Sequence, residues 1–515
     1  MPYIGRQSAN APARAGWRSP AVWARERSRA FWIVVGLTAL AALLRFATLG
    51  VQSYHHDEIV TASRVLRDGF GHAMDAVWFS ESTPPVYYAL AWVWTQLVGT
   101  GEFGLRALSA AAGVATVPVA YLIGVELRGR RAGLWVAALV AVNPMLLWYS
   151  QEARAYALVA LFGALSALYW LRAERGGGRR DFVWWGVWSG LALGTHYFVA
   201  FPILAEAVML LRRRGLRASL GGMAVLAGCA IAVAPLAIHQ MSIGHADWIG
   251  NFSLGHRLWE TAATFVTGET GDIIARPERP WLAFLPLALT LAALALLLRR
   301  GEERERRAGR RPLLLVVAGV GIPVALALVA ASKDFVLARN LIPALVPLLA
   351  AIGIAVSLPA SRRIGAAIGA LLFAYSLGFC VLVSTDEQFQ RPNWSAVAEQ
   401  IGEPHGPRAT VTWTLGEAPL RYYLSTGAIQ IRAAENYDWR VKEVDFVSDG
   451  AEPAPPQRLL GPGFRQVADI DTGRLHIRRY RFRPPGLAPL RLRRLREARL
   501  DFRSNGVLLD GVGPE

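Results

Sequence analysis

Long apolar runs, separated by a few charged residues, set the pattern of this chain. They fall near 31–50, 106–126, 132–147, 156–171, 183–195, 198–211, 219–237, 281–298, 313–331, 338–358 and 364–383. Most approach the ~20 residues that a helix needs to cross a ~30 Å hydrocarbon layer, so the pattern predicts about eleven membrane-spanning helices. A further run, 84–99, opens on Pro84-Pro85 and is rich in Trp and Tyr. Its length of about 16 residues falls short of a span, which predicts an interfacial helix.

The pattern changes after residue 384. Ala409-Thr410-Val411-Thr412-Trp413-Thr414 alternates as a strand, Glu417–Leu424 reads as a short helix, Ala428–Arg432 as a second strand, and Leu475–Phe482 as a later one. This predicts a small extracytoplasmic α/β domain over 384–485, crossed by the Pro-rich linker 451–456 and followed by an Arg-rich tail, 486–515. The remaining divisions are a basic N-terminal segment, 1–29, and a membrane domain, 30–383, whose first outer loop is 51–105. The fold class is mainly α: a polytopic membrane bundle with a small C-terminal α/β domain.

Charge sets the topology. Arg6, Arg14, Arg18, Arg25, Arg27 and Arg29 precede the first run without a cleavable-signal pattern, which puts the N-terminus in the cytoplasm. If 84–99 does not cross, four clusters also fall inside: Arg128 to Arg131, Arg172 to Arg180, Arg212 to Arg217, and Arg299 to Arg311. The pair Arg362-Arg363 falls inside with them. If it crosses, all of these land outside, so the basic-loop rule decides against crossing. An odd number of spans leaves the C-terminus outside, in a multi-pass protein of the inner (plasma) membrane.

Composition agrees: the chain is 53% hydrophobic, with a mean hydropathy of +0.30. Its net charge of +17 would point to nucleic acid in a soluble protein, but here the arginines sit in short loops beside apolar runs, where they meet anionic lipid headgroups. Cys229 and Cys380 lie inside apolar runs, which argues against a disulfide framework or a thiolate metal site.

The polar residues at the outer ends of the runs form a set. It begins with Tyr54-His55-His56-Asp57-Glu58, and an acidic pair held at a membrane boundary marks a candidate functional site. The set continues with Glu81, Tyr87, Tyr88, the stretch Trp148-Tyr149-Ser150-Gln151-Glu152-Ala153-Arg154-Ala155-Tyr156, then Thr195-His196-Tyr197, Lys333-Asp334 and Arg339-Asn340. These residues suit glycosyl transfer from an anionic lipid carrier. A carboxylate takes the proton from an acceptor hydroxyl attacking the anomeric carbon, and cations neutralise the departing phosphate. Asp57 is the expected base, with Lys333 and Arg339 on the phosphate at a helix N-terminus. Glu152 is the expected second acid that orients donor or acceptor, although a helix-start acid and a headgroup-reaching Arg154 account for the same residues. His196 reads more simply as a helix-end histidine. His55 and His56, with His239, His245, Asp247 and His256, are compatible with a divalent metal ion, but no spacing matches a closed zinc site.

At these residues the chain resembles the membrane glycosyltransferases of the dolichyl-phosphate-mannose protein mannosyltransferase type, including bacterial aminoarabinose transferases, which share the GT-C fold. The resemblance rests on His56-Asp57-Glu58, Thr83-Pro84-Pro85-Val86-Tyr87-Tyr88, and the run from Arg106 through Trp148 to Tyr156. Thr195-His196-Tyr197-Phe198 and Arg339-Asn340-Leu341-Ile342-Pro343 add to it. It covers roughly residues 30 to 385. Asn340 stands where the family usually has Tyr. The resemblance implies Asp57 as catalytic base with Glu58 beside it, Glu152 as second-loop acid, a polyprenyl-phosphate sugar donor of hexosyl or pentosyl type, and an acceptor (protein, lipid or cell-wall glycan) approached from outside. It also implies a C-terminal extracytoplasmic domain beginning near Arg391-Pro392-Asn393-Trp394. His56, Glu81, Tyr87, Tyr88, Tyr149, Gln151, Arg154, Tyr156, His196, Lys333 and Arg339 are the expected substrate-binding residues. Two other classes stand beside this one: a transporter or flippase of a lipid-linked saccharide, which would place ionisable groups near the midplane of paired repeats, and a non-catalytic envelope scaffold.

Overall fold

The computed structural model describes residues 20–66, 69–245, 247–269, 281–330, 334–424, 429–430, 439–449, 459–490, 495 and 505–510. Among these, eight helices are long and apolar enough to cross a membrane, and the bent pair Arg130–Val142 and Pro144–Ser150, angled at 55°, makes a ninth. Two features bring the segments to the eleven that the apolar runs predict. Arg179–Leu193, at 15 residues, is a helix too short to be counted by length alone. The helix Ala200–Ile243, 44 residues long, breaks at Gly215, whose φ of 76° suits a residue without a Cβ. Unbroken it would extend ~66 Å, about twice the hydrocarbon thickness, and Arg212 to Arg217 mark the break as a polar turn.

The run at 84–99 forms the helix Val86–Val98, 13 residues or ~20 Å long, paired in the first outer loop with Phe70–Ser80. It does not cross. The basic clusters accordingly gather on one face: Arg128, Arg175, Arg213 and Arg311 line one groove, and Arg362 lies beside Arg131. Small residues let the helices approach closely. A Cβ on Gly124 would sit 2.6 Å from the Cα of Gly133, where Glu102–Arg128 packs on Arg130–Val142. Within the bundle, Glu206 is buried and accepts hydrogen bonds from Ser166 (2.6 Å) and Trp185 (2.8 Å), joining three helices through neutral donors.

Beyond Thr385 the chain builds a six-stranded sheet. Its order is Ile429–Gln430, Asn505–Asp510, Arg408–Trp413, Glu443–Asp449, Leu475–Phe482, Phe464–Thr472. Arg408–Trp413 and Glu443–Asp449 run parallel and the other pairs antiparallel. Asn505–Asp510 lies in the stretch read as an Arg-rich tail, yet it pairs along the whole of Arg408–Trp413. The sheet therefore takes in chain on both sides of residue 485. Of the strand expected at 428–432 only 429–430 is described, and the Pro-rich linker lies outside the described residues.

The domain is bound to the loop that follows the first span. Tyr423 Oη accepts from the Tyr54 amide (2.7 Å) and donates to Glu102 (2.7 Å), and Ser53 Oγ accepts from the Trp394 amide (2.8 Å).

Candidate active site

His56 to Ile59 form a single helical turn at the point where the first span ends, and this turn aims its two carboxylates in different directions. Glu58 points inward and is fully buried. Its Oε1 accepts from Arg106 Nε (2.7 Å) and the Ala153 amide (2.9 Å); its Oε2 accepts from Arg106 Nη2 (2.7 Å) and the His55 amide (3.3 Å). Arg106 spends its remaining donors on the carbonyls of Leu49, Gln52 and Ser53. Burial alone would raise the Glu58 carboxyl, but the Arg106 charge and hydrogen bonds outweigh it and hold the group well below the usual range. Glu58, expected as a catalytic acid beside Asp57, clamps three chain segments, with every lone pair engaged.

Asp57 points outward. Its side chain is 29% exposed, and its Oδ2 lies 3.3 Å from Arg339 Nη1. Burial again acts upward on this carboxyl; Arg339, then Arg154, His55 and His56, more than offset it, so Asp57 is ionised at neutral pH. Arg339 also lies 5.7 Å from the Trp248 ring centroid.

Around this pair the structure gathers several of the expected residues. Arg154 Nη1 donates to Glu81 (3.1 Å) and Thr61 (3.2 Å), and Tyr88 Oη donates to the same Glu81 oxygen (2.5 Å). The other Glu81 oxygen and the Tyr87 hydroxyl are buried without a protein partner. Tyr149 and Tyr156 pack ring to ring at 4.5 Å, Tyr156 lies 5.7 Å from His196, and the Tyr149 hydroxyl donates to Glu269. His196 accepts from the Phe198 amide (3.3 Å). Burial first, with Arg339 adding to it, lowers its imidazole to about 4. His56 is lowered by burial as well, against the pull of Asp57, whereas His55 is raised because Glu58, Glu152 and Asp57 outweigh burial.

Two expected residues are occupied elsewhere. Gln151 donates to the carbonyls of Leu44 and Arg45 and to Thr48 at the end of the first span. Glu152 is bound by Arg391 at 2.9 Å, and that guanidinium also bonds the Gln151 carbonyl (2.9 Å) and stacks 4.5 Å over Trp148. Lys333 lies outside the described residues; next to it, Asp334 takes a double hydrogen bond from Arg257. For a metal, no group of three His, Cys, Asp or Glu converges among the described residues. His239 stacks on Trp78, and His245 reaches the Phe79 carbonyl.

Sequence reading did not assign Arg106, Arg391, Trp248 and Glu269 to the site. Arg106 carried a usable signal, being a charge inside an apolar helix that a membrane tolerates only when paired. Arg391, Trp248 and Glu269 come from distant segments, and nothing local announces their partners.

Residues 82–239 match the model of the dolichyl-phosphate-mannose-protein mannosyltransferase family. No curated protein matches the chain in sequence. Among solved structures, ArnT from Cupriavidus metallidurans in the apo state is similar at a TM-score of 0.54 and 14% identity, covering 88% of this chain and 98% of that one. The same protein bound to undecaprenyl phosphate gives 0.52 and 14%, covering 90% and 98%.

Proposed function

We propose that this multi-pass membrane protein, which has the GT-C fold, transfers a sugar from a polyprenyl-phosphate donor to an acceptor on the extracytoplasmic side, with inversion at the anomeric carbon. One observation carries the reading. Asp57 pairs with a cation, Arg339, while its side chain stays 29% exposed, whereas Glu58 and Glu152 are closed into clamps.

The pairing suggests an order of events. Without donor, Arg339 neutralises Asp57 and leaves it a weak base. A lipid phosphate arriving at the site competes for Arg339, and as that cation turns toward phosphate the Asp57 carboxylate gains basicity. The acceptor oxygen then attacks the anomeric carbon from the face opposite the phosphate while Asp57 takes its proton. The carbon–oxygen bond to phosphate breaks, its electron pair leaves on phosphate, and Arg339 stabilises the departing charge. Glu81 Oε1 and the Tyr87 hydroxyl, buried and unpartnered, are suited to sugar hydroxyls. Arg154 holds Glu81, and Tyr88, Tyr149, Tyr156, His56 and His196 shape the wall.

The ArnT complex with undecaprenyl phosphate supports a carrier of that class. Purified protein incubated with polyprenyl phosphates bearing radiolabelled mannose or aminoarabinose tests the reading: release or transfer of label from one donor is expected. Failure of both donors to bind or react would overturn it.

A further inference from the structure

The end of the bundle remote from Asp57 carries a second constellation that the proposed chemistry does not use. The helix Glu102–Arg128 runs ~40 Å from the Tyr423 contact at its start to this far end. There a groove of about 1170 Å³ opens between that helix, the Gly215 break, and the segment beginning Glu303–Val316.

Seven arginines and four glutamates line it. Three of those glutamates already hold guanidinium groups: Glu126 with Arg175 (3.2 Å), Glu303 with Arg307 (2.7 Å), and Glu305 with Arg128. Beneath the groove Glu174, with a side chain 1% exposed, holds Arg213 at 2.9 Å and Arg311 at 2.7 Å, fixing two basic side chains in the wall. A guanidinium has five N–H donors and a carboxylate engages two at most, so donors remain on these groups. Two lining arginines are freer. Arg304 has no carboxylate within ion-pair distance among the described residues, and Arg310 comes no nearer than 3.9 Å to Glu303.

The remaining wall is apolar. Met209, Leu314 and Pro359 line it, and Leu314 is 46% exposed on a helix that continues as a membrane span. The groove thus lies at the level where spans end and headgroups begin, with a cationic rim leading to a lipid-facing flank. A soluble phosphate would use the rim and leave the apolar flank wet; an anionic lipid uses both.

We propose that this groove binds the phosphate headgroup of an anionic phospholipid, with the acyl chains along the Leu314 flank. The test is native mass spectrometry of the full chain released from detergent with added phosphatidylglycerol or phosphatidylcholine. Phosphatidylglycerol adducts that phosphatidylcholine does not reproduce are expected. The double substitution Arg304→Gln/Arg310→Gln should weaken them roughly 10- to 30-fold, each basic side chain near an anionic surface contributing a few-fold. Lipid-free thermal stability should stay at the wild-type value, since neither residue closes an ion pair tighter than 3.9 Å. Arg363→Gln, on the same face but outside the groove, should leave the adducts unchanged. Equal binding of the two lipids, or undiminished phosphatidylglycerol binding by the double variant, would overturn the proposal. Displacement of the lipid by millimolar inorganic phosphate would reassign the groove to free phosphate and overturn the lipid assignment.

Discussion

Replacing Glu58 by Gln changes one atom and should nonetheless destabilise the protein severely. Four N–H groups converge on its two oxygens, from Arg106 (twice), Ala153 and His55, at 2.7 to 3.3 Å. An amide placed in either orientation turns its NH2 toward N–H donors, which leaves a donor–donor contact in a site that is fully buried. The substitution also leaves the Arg106 guanidinium, 1% exposed, without a counter-charge. Breaking one side of a buried pair costs ~3–5 kcal/mol. Arg106→Met should cost at least as much, because the carbonyls of Leu49, Gln52 and Ser53 lose their donor too. Unfolding in mixed micelles titrated with SDS, followed by tryptophan fluorescence, reads both changes, and transfer activity should fall in step with the folded fraction. A Glu58→Gln protein within ~1 kcal/mol of wild type yet inactive would refute the clamp and return Glu58 to the chemistry.

Arg391→Ala should orphan the buried Glu152 and cost ~3 kcal/mol or more. It should also loosen the C-terminal domain, seen as faster limited proteolysis near residues 385–392. Because Asp57 is held below its unfolded value near 3.9, its rate profile should show no acid limb above about pH 5. Arg339→Met removes the nearest cation and should raise that limb by roughly one unit or more. The sign for stability is the same: ionised Asp57 stabilises the fold above its unfolded pKa, and that contribution is lost as pH falls from there toward the lowered folded value, so the loss should appear in denaturation only below about pH 4. His196, lowered to about 4, should show no protonation step between pH 6 and 8 in an imidazole NMR titration.

The membrane bundle was readable because each span declares itself by length and apolarity, and the short run at 84–99 declares by the same measure that it stops at the interface. The Arg212 to Arg217 cluster marked a turn that survives as the Gly215 break inside one long helix. Asp57 was legible as an acid at a boundary. The different settings of Asp57 and Glu58 were not, because adjacent residues in a tight helical turn point apart and Arg106, 48 positions on, fixes which one is buried. The partner of Glu152 was hidden for a similar reason: Arg391 arrives from 239 positions later. Within the sheet, Leu475–Phe482 alternates and was found, whereas Asn505–Asp510 follows an Arg-rich stretch and owes its place to pairing with Arg408–Trp413, a contact no local pattern encodes.

The central claim is that Asp57 performs the proton transfer. Sugar release from the reactive polyprenyl-phosphate donor should be compared between wild type and Asp57→Asn, alongside the SDS unfolding midpoint of each. The account predicts a loss of roughly 10²- to 10⁴-fold in rate with the midpoint lowered only by the loss of the partly exposed Asp57–Arg339 pair, about 1 kcal/mol, because Asn fills the same space. Asp57→Asn that releases sugar at the wild-type rate would contradict it.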